Sequence, residues 1–195
     1  MTTPLAGLPQ RVTVYEVGAR DGLQNEKGLV PVEVKADFVR QLLAAGLTAV
    51  ETTSFVSPQW VPQLADASEL LALLGEEPAG VRMPVLVPND KGLNRALDAG
   101  VKEIAVFGSA TESFAQRNLN RSVAESLEMF RPVVDRARVE GLRVRGYLSM
   151  CFGDPWEGFV APEVVAGHAR TLIDMGVTEL SLGDTIGVAT PGQVV

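Results

Sequence analysis

The sequence predicts one α/β domain over residues 1–195, built as an incomplete TIM (β/α)8-type barrel of about six strands. Three observations lead there. Short apolar runs alternate strictly with helix-period segments, the pattern of parallel strands joined by right-handed crossovers. One phrase recurs where a helix meets the next strand: Ala45-Gly46-Leu47, Ala79-Gly80-Val81, Ala99-Gly100-Val101, Glu140-Gly141-Leu142 and Met175-Gly176-Val177. Polar and ionisable residues gather directly after the apolar runs, where parallel architectures keep their chemistry.

The first strand is the apolar run Val12 to Val17, and Arg20-Asp21-Gly22-Leu23-Gln24-Asn25-Glu26 follows it. A helix is expected over Lys35–Ala45, with Phe38, Leu42 and Leu43 on one side. Strands two to six read Ala49–Thr53, Arg82–Val87, Glu103–Phe107, Arg143–Ser149 and Glu179–Leu182. Pro162–Met175 is a second clear helix, with Val165, Ala169 and Leu172 in register, and a last helix is expected to begin near Pro191. Each recurring glycine is read as a left-handed helix cap, a conformation other residues resist. A flavodoxin-like open sheet suits the same length. The barrel is favoured over it because no glycine-rich phosphate fingerprint follows the first strand. A complete barrel takes about 250 residues, so the pattern is that of a barrel without its final quarter.

Hydrophobic residues make up 46% of the chain and charged residues 21%, an ordinary globular balance. A net charge of −7 argues against nucleic acid or an anionic membrane surface as partner. Cys151 is the only cysteine, which excludes an internal disulfide framework and a thiolate metal cluster, and it is read as a buried apolar residue. Met1 to Gln10 lacks a basic region followed by an apolar core, and no apolar run approaches the ~20 residues of a membrane span. A cytoplasmic protein is the resulting expectation.

The strand ends place Arg20, Asp21 and Gln24 after strand one, and Glu51 with Thr53 in strand two. Asn89 and Asp90 follow strand three, Ser109 follows strand four, Tyr147 and Ser149 close strand five, and Asp184 with Thr185 follows strand six. Alternation predicts that Glu51 and Thr53 share a face, as do Arg143, Arg145, Tyr147 and Ser149. A carboxylate buried in a barrel needs a partner, and Arg145 is the predicted partner of Glu51. The plainer readings are a structural ion pair for Glu51, a turn former for Asp21 and a helix cap for Asp184. His168 falls in mid-helix and is read as a packing residue. Trp60 and Trp156 lie in loops, where they pack the rim or stack on a ligand.

Glu16-Val17-Gly18-Ala19-Arg20-Asp21-Gly22-Leu23-Gln24-Asn25-Glu26 closely resembles the first-strand signature of the 3-hydroxy-3-methylglutaryl-CoA lyase family. The resemblance continues through Glu51-Thr52-Thr53-Ser54-Phe55-Val56-Ser57-Pro58, Trp60-Val61-Pro62-Gln63, Phe107-Gly108-Ser109-Ala110, Val144-Arg145-Gly146-Tyr147 and Ser181-Leu182-Gly183-Asp184-Thr185-Ile186-Gly187. It implies a TIM barrel and a carbon–carbon lyase that cleaves hydroxymethylglutaryl-CoA to acetoacetate and acetyl-CoA, a reaction of leucine degradation and ketone-body formation. It implies a divalent metal, Mg or Mn, with Asp21 as one ligand. Arg20 would meet the thioester oxygen, Asp184 would transfer the proton and Glu51 would organise the site. Gln24, Tyr147 and Thr185 would contact the substrate. The partner would be an acyl-CoA, with a homo-oligomer possible and neither nucleic acid nor membrane involved.

The family's remaining ligands, a His-x-His pair and an Asn, and its glycine-rich loop with a cysteine, have no match before Val195. The resemblance therefore implies a chain with part of the catalytic equipment, unpaired outer strands and little turnover alone. A related aldol-type lyase or acyl-CoA synthase is the alternative, and a non-catalytic barrel remnant is another.

Overall fold

The computed structural model describes residues 9–194. The leader expectation for Met1 to Gln10 therefore falls, for Met1 to Leu8, outside the described residues. The elements run β1 (Tyr15–Glu16), α1 (Val32–Ala44), β2 (Ala49–Val50), β3 (Thr53–Ser54), α2 (Ala67–Leu74), β4 (Val85–Leu86), α3 (Asp90–Asp98) and β5 (Glu103–Ser109). They continue as α4 (Glu112–Leu119), α5 (Val123–Val139), β6 (Arg143–Ser149), the hairpin β7 (Gly153–Asp154) and β8 (Gly158–Phe159), α6 (Pro162–Met175), β9 (Glu179–Leu182) and α7 (Pro191–Val194).

All pairings outside the β7–β8 hairpin are parallel. β1 pairs with β2, β3-β4-β5-β6-β9 form a second run, and the bridge Ala49↔Arg82 joins the two. Neighbours in space are thus neighbours in sequence throughout, the order of a barrel wall. A doubly wound sheet reverses its order and covers both faces with apolar helices. Here the two faces differ. Val85, Val87, Ile104, Val106 and Val144 pack against helix residues such as Leu93, Phe130, Val134 and Leu172, whereas the other face carries arginines, glutamates and tyrosines. The incomplete barrel stands, and among the described residues β1 and β9 each pair on one side only.

The recurring glycines all have positive φ, and Gly46, Gly100, Gly141 and Gly176 end helices as predicted, but Gly80 lies in a separate turn, because α2 already stops at Leu74 with Gly75 as its cap. At Gly176 a Cβ would also lie 2.6 Å from the Arg138 side chain of α5, which would have to move aside.

Three strand predictions need correction. The first strand is shorter than Val12 to Val17, since only Tyr15–Glu16 reaches a partner and Val12 and Val14 are exposed. The third is reduced to Val85–Leu86, because Pro84 cannot donate to the ladder. The second is interrupted by one extra residue: Ala49 pairs with Arg82 but Thr53 with Val85, four steps against three. Thr52 N donates to Pro84 O and Phe55 N to Leu86 O, which puts the bulge between Glu51 and Ser54. Thr53 therefore aligns with Val85 of the helix-facing core and does not continue the face of Glu51. The sequence carries no mark of that bulge.

The hairpin β7–β8 is also absent from the sequence reading. It is fastened by Asp154, buried at 3% exposure, which accepts the Thr111 hydroxyl at 2.7 Å and the amides of Trp156 and Glu157 at 2.7 and 2.9 Å. Burial opposes ionisation of Asp154, but these donors outweigh it and hold its carboxyl below the usual range. Replacing Asp154 by alanine is expected to release the hairpin and expose residues 151–160 to protease. Limited proteolysis checks this, and a cleavage rate equal to that of the parent chain would contradict it.

Candidate active site at the strand ends

The site begins with a wide π-helical turn, Gly18–Gly22, directly after β1. The amides of Arg20 and Asp21 both donate to Val17 O, at 3.0 and 2.6 Å, while Gly18 N donates to Glu16 Oε1 at 2.5 Å. A Cβ on Gly18 would sit 2.8 Å from that oxygen, so a larger residue would displace the Glu16 carboxylate. Single π-turns recur at functional sites because they re-aim side chains. This one sends Arg20 into the barrel and leaves Asp21 at its mouth, with side chains 10% and 55% exposed.

Arg20 Nε donates to Glu51 Oε1 at 2.5 Å, and its Nη1 donates to Asp21 Oδ1 at 2.6 Å. Tyr147, on β6, donates its hydroxyl to Glu51 Oε2 at 2.6 Å. Glu51 is fully buried, with a charged partner on one oxygen and a phenol on the other. Burial works against the Arg20 cation, but the Glu51 and Asp21 carboxylates outweigh it and hold the guanidinium above its ordinary pKa. Burial, then Glu51, push the Tyr147 phenol well above its ordinary value, so it stays a hydrogen-bond donor.

The predicted pair of Glu51 with Arg145 is not formed. Arg145 makes its ion pair with Glu179, the first residue of β9. Arg145 and Tyr147 do share one face of β6, as predicted, but Arg145 lies a layer deeper, nearer the N-terminal ends of the strands. There Arg82 and Arg143 both bond Glu103, and Arg82 also reaches Glu179. Burial opposes ionisation of Glu103, yet the two arginines hold its carboxyl below the usual range. The sequence put Arg145 on the right face, while the depth at which each inward side chain lies depends on strand stagger, which it does not show.

Among the described residues, the predicted residues Gln24, Asp184, Thr185, Asn89 and Ser109 make no hydrogen bond to this centre. Gln24 is half-buried, and among the described residues its side chain makes no hydrogen bond. Asp184 accepts Val188 N and Ala189 N at 2.9 Å each, so both oxygens tie down its own loop, in place of a helix cap. Thr185 Oγ1 accepts Met150 N at 2.8 Å, joining the loops after β9 and β6. Met150 is buried with φ +62°, a conformation that side-chain-bearing residues take only when their surroundings impose it. Asn89 serves as the cap of α3, accepting Gly92 N, and the Ser109 hydroxyl bonds Thr111. Asp21 uses its carboxylate on Arg20, not on local amides as a turn former would. Trp60 is exposed, and Trp156 lies under Arg117, 4.1 Å from its ring centre.

Cys151 is buried, its thiol donating to Leu148 O, and burial pushes its pKa up to about 11, as expected of a packing residue. His168 lies inside α6, and burial lowers its pKa. Among the described residues no three of His, Cys, Asp and Glu converge as a metal site. Asp21 has one oxygen on Arg20, and Glu51 and Asp184 have both oxygens engaged. These side chains do not hold a divalent cation by themselves.

Comparison with known proteins places this arrangement. The HMGL-like family model matches residues 11–195. The chain belongs to the HMGL-like family. It is 50% identical over 190 residues to the cytoplasmic 3-hydroxy-3-methylglutaryl-CoA lyase of Rattus norvegicus, covering 97% of this chain and 55% of that protein. The mitochondrial hydroxymethylglutaryl-CoA lyase of the same organism is 50% identical over 191 residues, covering 98% and 58%. The chain thus spans a little over half the length of these relatives. The crystal structure of hydroxymethylglutaryl-CoA lyase from Pseudomonas aeruginosa matches with a TM-score of 0.92 and 52% identity, over 95% of this chain and 62% of that one. An HMG-CoA lyase from Acinetobacter baumannii, solved with coenzyme A and 3-methylmalate, matches with a TM-score of 0.87 and 32% identity over 93% and 59%. This HMGL-like chain therefore has the fold of the lyases, and its Arg20–Glu51–Tyr147 centre lies at the strand ends where parallel barrels carry their chemistry.

Proposed function

We propose that this HMGL-like chain carries the substrate-facing part of a hydroxymethylglutaryl-CoA lyase site, for cleavage of 3-hydroxy-3-methylglutaryl-CoA to acetoacetate and acetyl-CoA. The observation that carries the reading is Arg20, a permanent cation pinned inside the barrel mouth by a fully buried carboxylate. Breaking the carbon–carbon bond leaves a thioester enolate, and a preorganised guanidinium is suited to the oxygen on which that charge develops. Glu51 fixes Arg20 and receives Tyr147, so its part is to organise the site. Tyr147, kept protonated, gives its single hydroxyl proton to Glu51 and is proposed to meet the substrate through its hydroxyl oxygen and ring. Asp184 is the proposed proton-transfer group; its loop bonds hold the carboxylate in place and leave each oxygen a further lone pair for a proton. Gln24 and Thr185 are the proposed substrate contacts.

An acyl-CoA partner is supported by the coenzyme A in the Acinetobacter baumannii lyase structure. Asp21 is proposed as one ligand of Mg or Mn. It supplies one oxygen where such a cation takes about six. Accordingly, the 195-residue chain is expected to bind Mn²⁺ weakly and to show little turnover. Tight stoichiometric binding by calorimetry, or robust metal-dependent release of acetyl-CoA, would overturn that.

Direct binding tests the substrate reading. Calorimetry with hydroxymethylglutaryl-CoA and other hydroxyacyl-CoA thioesters should show a preference for the first, lost in Arg20→Gln. Equal binding of several thioesters would favour a related aldol-type lyase or acyl-CoA synthase, and no binding a non-catalytic remnant. Relatives named cytoplasmic and mitochondrial match equally well. Cytoplasmic location and a homo-oligomeric state belong to the proposal, and are checked by fractionation and by solution mass.

A further inference from the structure

We propose that Tyr15 is a positioning residue, whose ring holds the Arg145 guanidinium against Tyr147 and so keeps the Tyr147 hydroxyl on Glu51. Five side chains stack as alternating cations and rings from the mouth of the barrel to its floor. Arg20 lies 5.9 Å from the Tyr147 ring centre, Arg145 lies 5.3 Å from Tyr147 and 3.9 Å from Tyr15, and Arg82 lies 5.6 Å from Tyr15. Guanidinium groups at such distances are attracted to the ring faces, more strongly where water is excluded.

Tyr15 is the member of the column that neither the strand-end pattern nor the proposed chemistry uses. Its hydroxyl is buried and among the described residues has no hydrogen-bond partner, so its contribution comes from the ring. Arg145 Nε is likewise buried without a hydrogen-bond partner among the described residues. Its guanidinium is anchored by Glu179 at Nη1, and by the two aromatic faces. Removing the Tyr15 ring frees one face of Arg145, and with it the surface on which Tyr147 rests. Glu51, Glu103 and Tyr147 are the other titratable groups whose fields reach the Tyr15 phenol. The geometry stands apart from any activity; only its consequence for catalysis rests on the lyase reading.

The chain has two tyrosines, so ¹⁹F NMR of the 3-fluorotyrosine-labelled 195-residue chain gives one resonance for each. In Tyr15→Phe the remaining Tyr147 resonance is expected to keep its parent position, with an unchanged or higher Tm as the orphan hydroxyl is lost. In Tyr15→Leu it should move toward its position in the unfolded chain while circular dichroism still reports a folded protein. Arg145→Lys, which keeps the charge on Glu179 but loses the planar stack, should move it the same way and remains informative if Tyr15→Leu fails to fold. A Tyr147 resonance that stays put in Tyr15→Leu while Tm falls would reduce Tyr15 to a space filler. A shift in Tyr15→Phe as large as in Tyr15→Leu would assign the role to the hydroxyl, and no shift in Arg145→Lys would remove the stack from the explanation. None of these readings depends on turnover, so the idea can fail while the lyase reading stands, and the reverse.

Discussion

Glu51→Ala is expected to destabilise the folded chain by about 3–5 kcal/mol, the range for removing one partner of a buried ion pair. The size follows from what would be stranded. Arg20 is 8% exposed and its Nε has Glu51 as partner, so the variant leaves a guanidinium nitrogen facing a void. The Tyr147 hydroxyl loses its acceptor at the same time, and a buried donor without a partner carries its own penalty of about 1–3 kcal/mol. Asp21 cannot take over, since its mostly exposed carboxylate already occupies Arg20 Nη1. Glu51→Gln keeps an oxygen for one of the two donors and should lose less. Urea unfolding of the two variants measures the difference. A cost of only about 0–1 kcal/mol for Glu51→Ala, the range of exposed pairs, would mean that water reaches this pair and that Arg20 is not preorganised.

The same pair shows how far the sequence could be read. Arg20, Asp21, Glu51 and Tyr147 were all legible as strand-end residues, because parallel barrels put their polar side chains there whatever the details of packing. The recurring glycine caps were legible for a similar reason, since positive φ is a local demand that glycine meets. The partner of Glu51 was not legible. Alternation gives the face of a side chain but not its height, and height decided between Arg145 and Arg20. Nor could alternation be carried past Glu51, where an extra residue opposite Val85 turns Thr53 out of register. Asp184 is a different case. Its place after β9 was right, but its oxygens are turned onto Val188 and Ala189 by a loop conformation that residue types alone do not specify. The hairpin around Asp154 depends likewise on a contact across 43 residues, with Thr111.

The largest response to solution conditions is expected above pH 10. Tyr15 and Tyr147 both sit well above their ordinary pKa of 10.0, each chiefly through burial and then through Glu51. The sign follows directly: a group whose folded pKa is raised binds its proton more tightly in the folded state than in the unfolded one. Its stabilising effect is complete below the unfolded pKa and drains away as pH climbs past it toward the folded value. One such group loses about 1.4 kcal/mol per pH unit over that interval, and the two tyrosines together about 2.7. The folded chain should therefore show almost no tyrosinate absorbance as pH passes 10, and should then unfold cooperatively with both phenols ionising in the same step. Tyr15→Phe and Tyr147→Phe should each roughly halve the slope of stability against pH in this range. Tyrosinate absorbance rising near pH 10, while circular dichroism still reports the native fold, would show that the phenols are solvated. In that case burial and the field of Glu51 would not be what raises the two phenols, and water would reach the Arg145 stack.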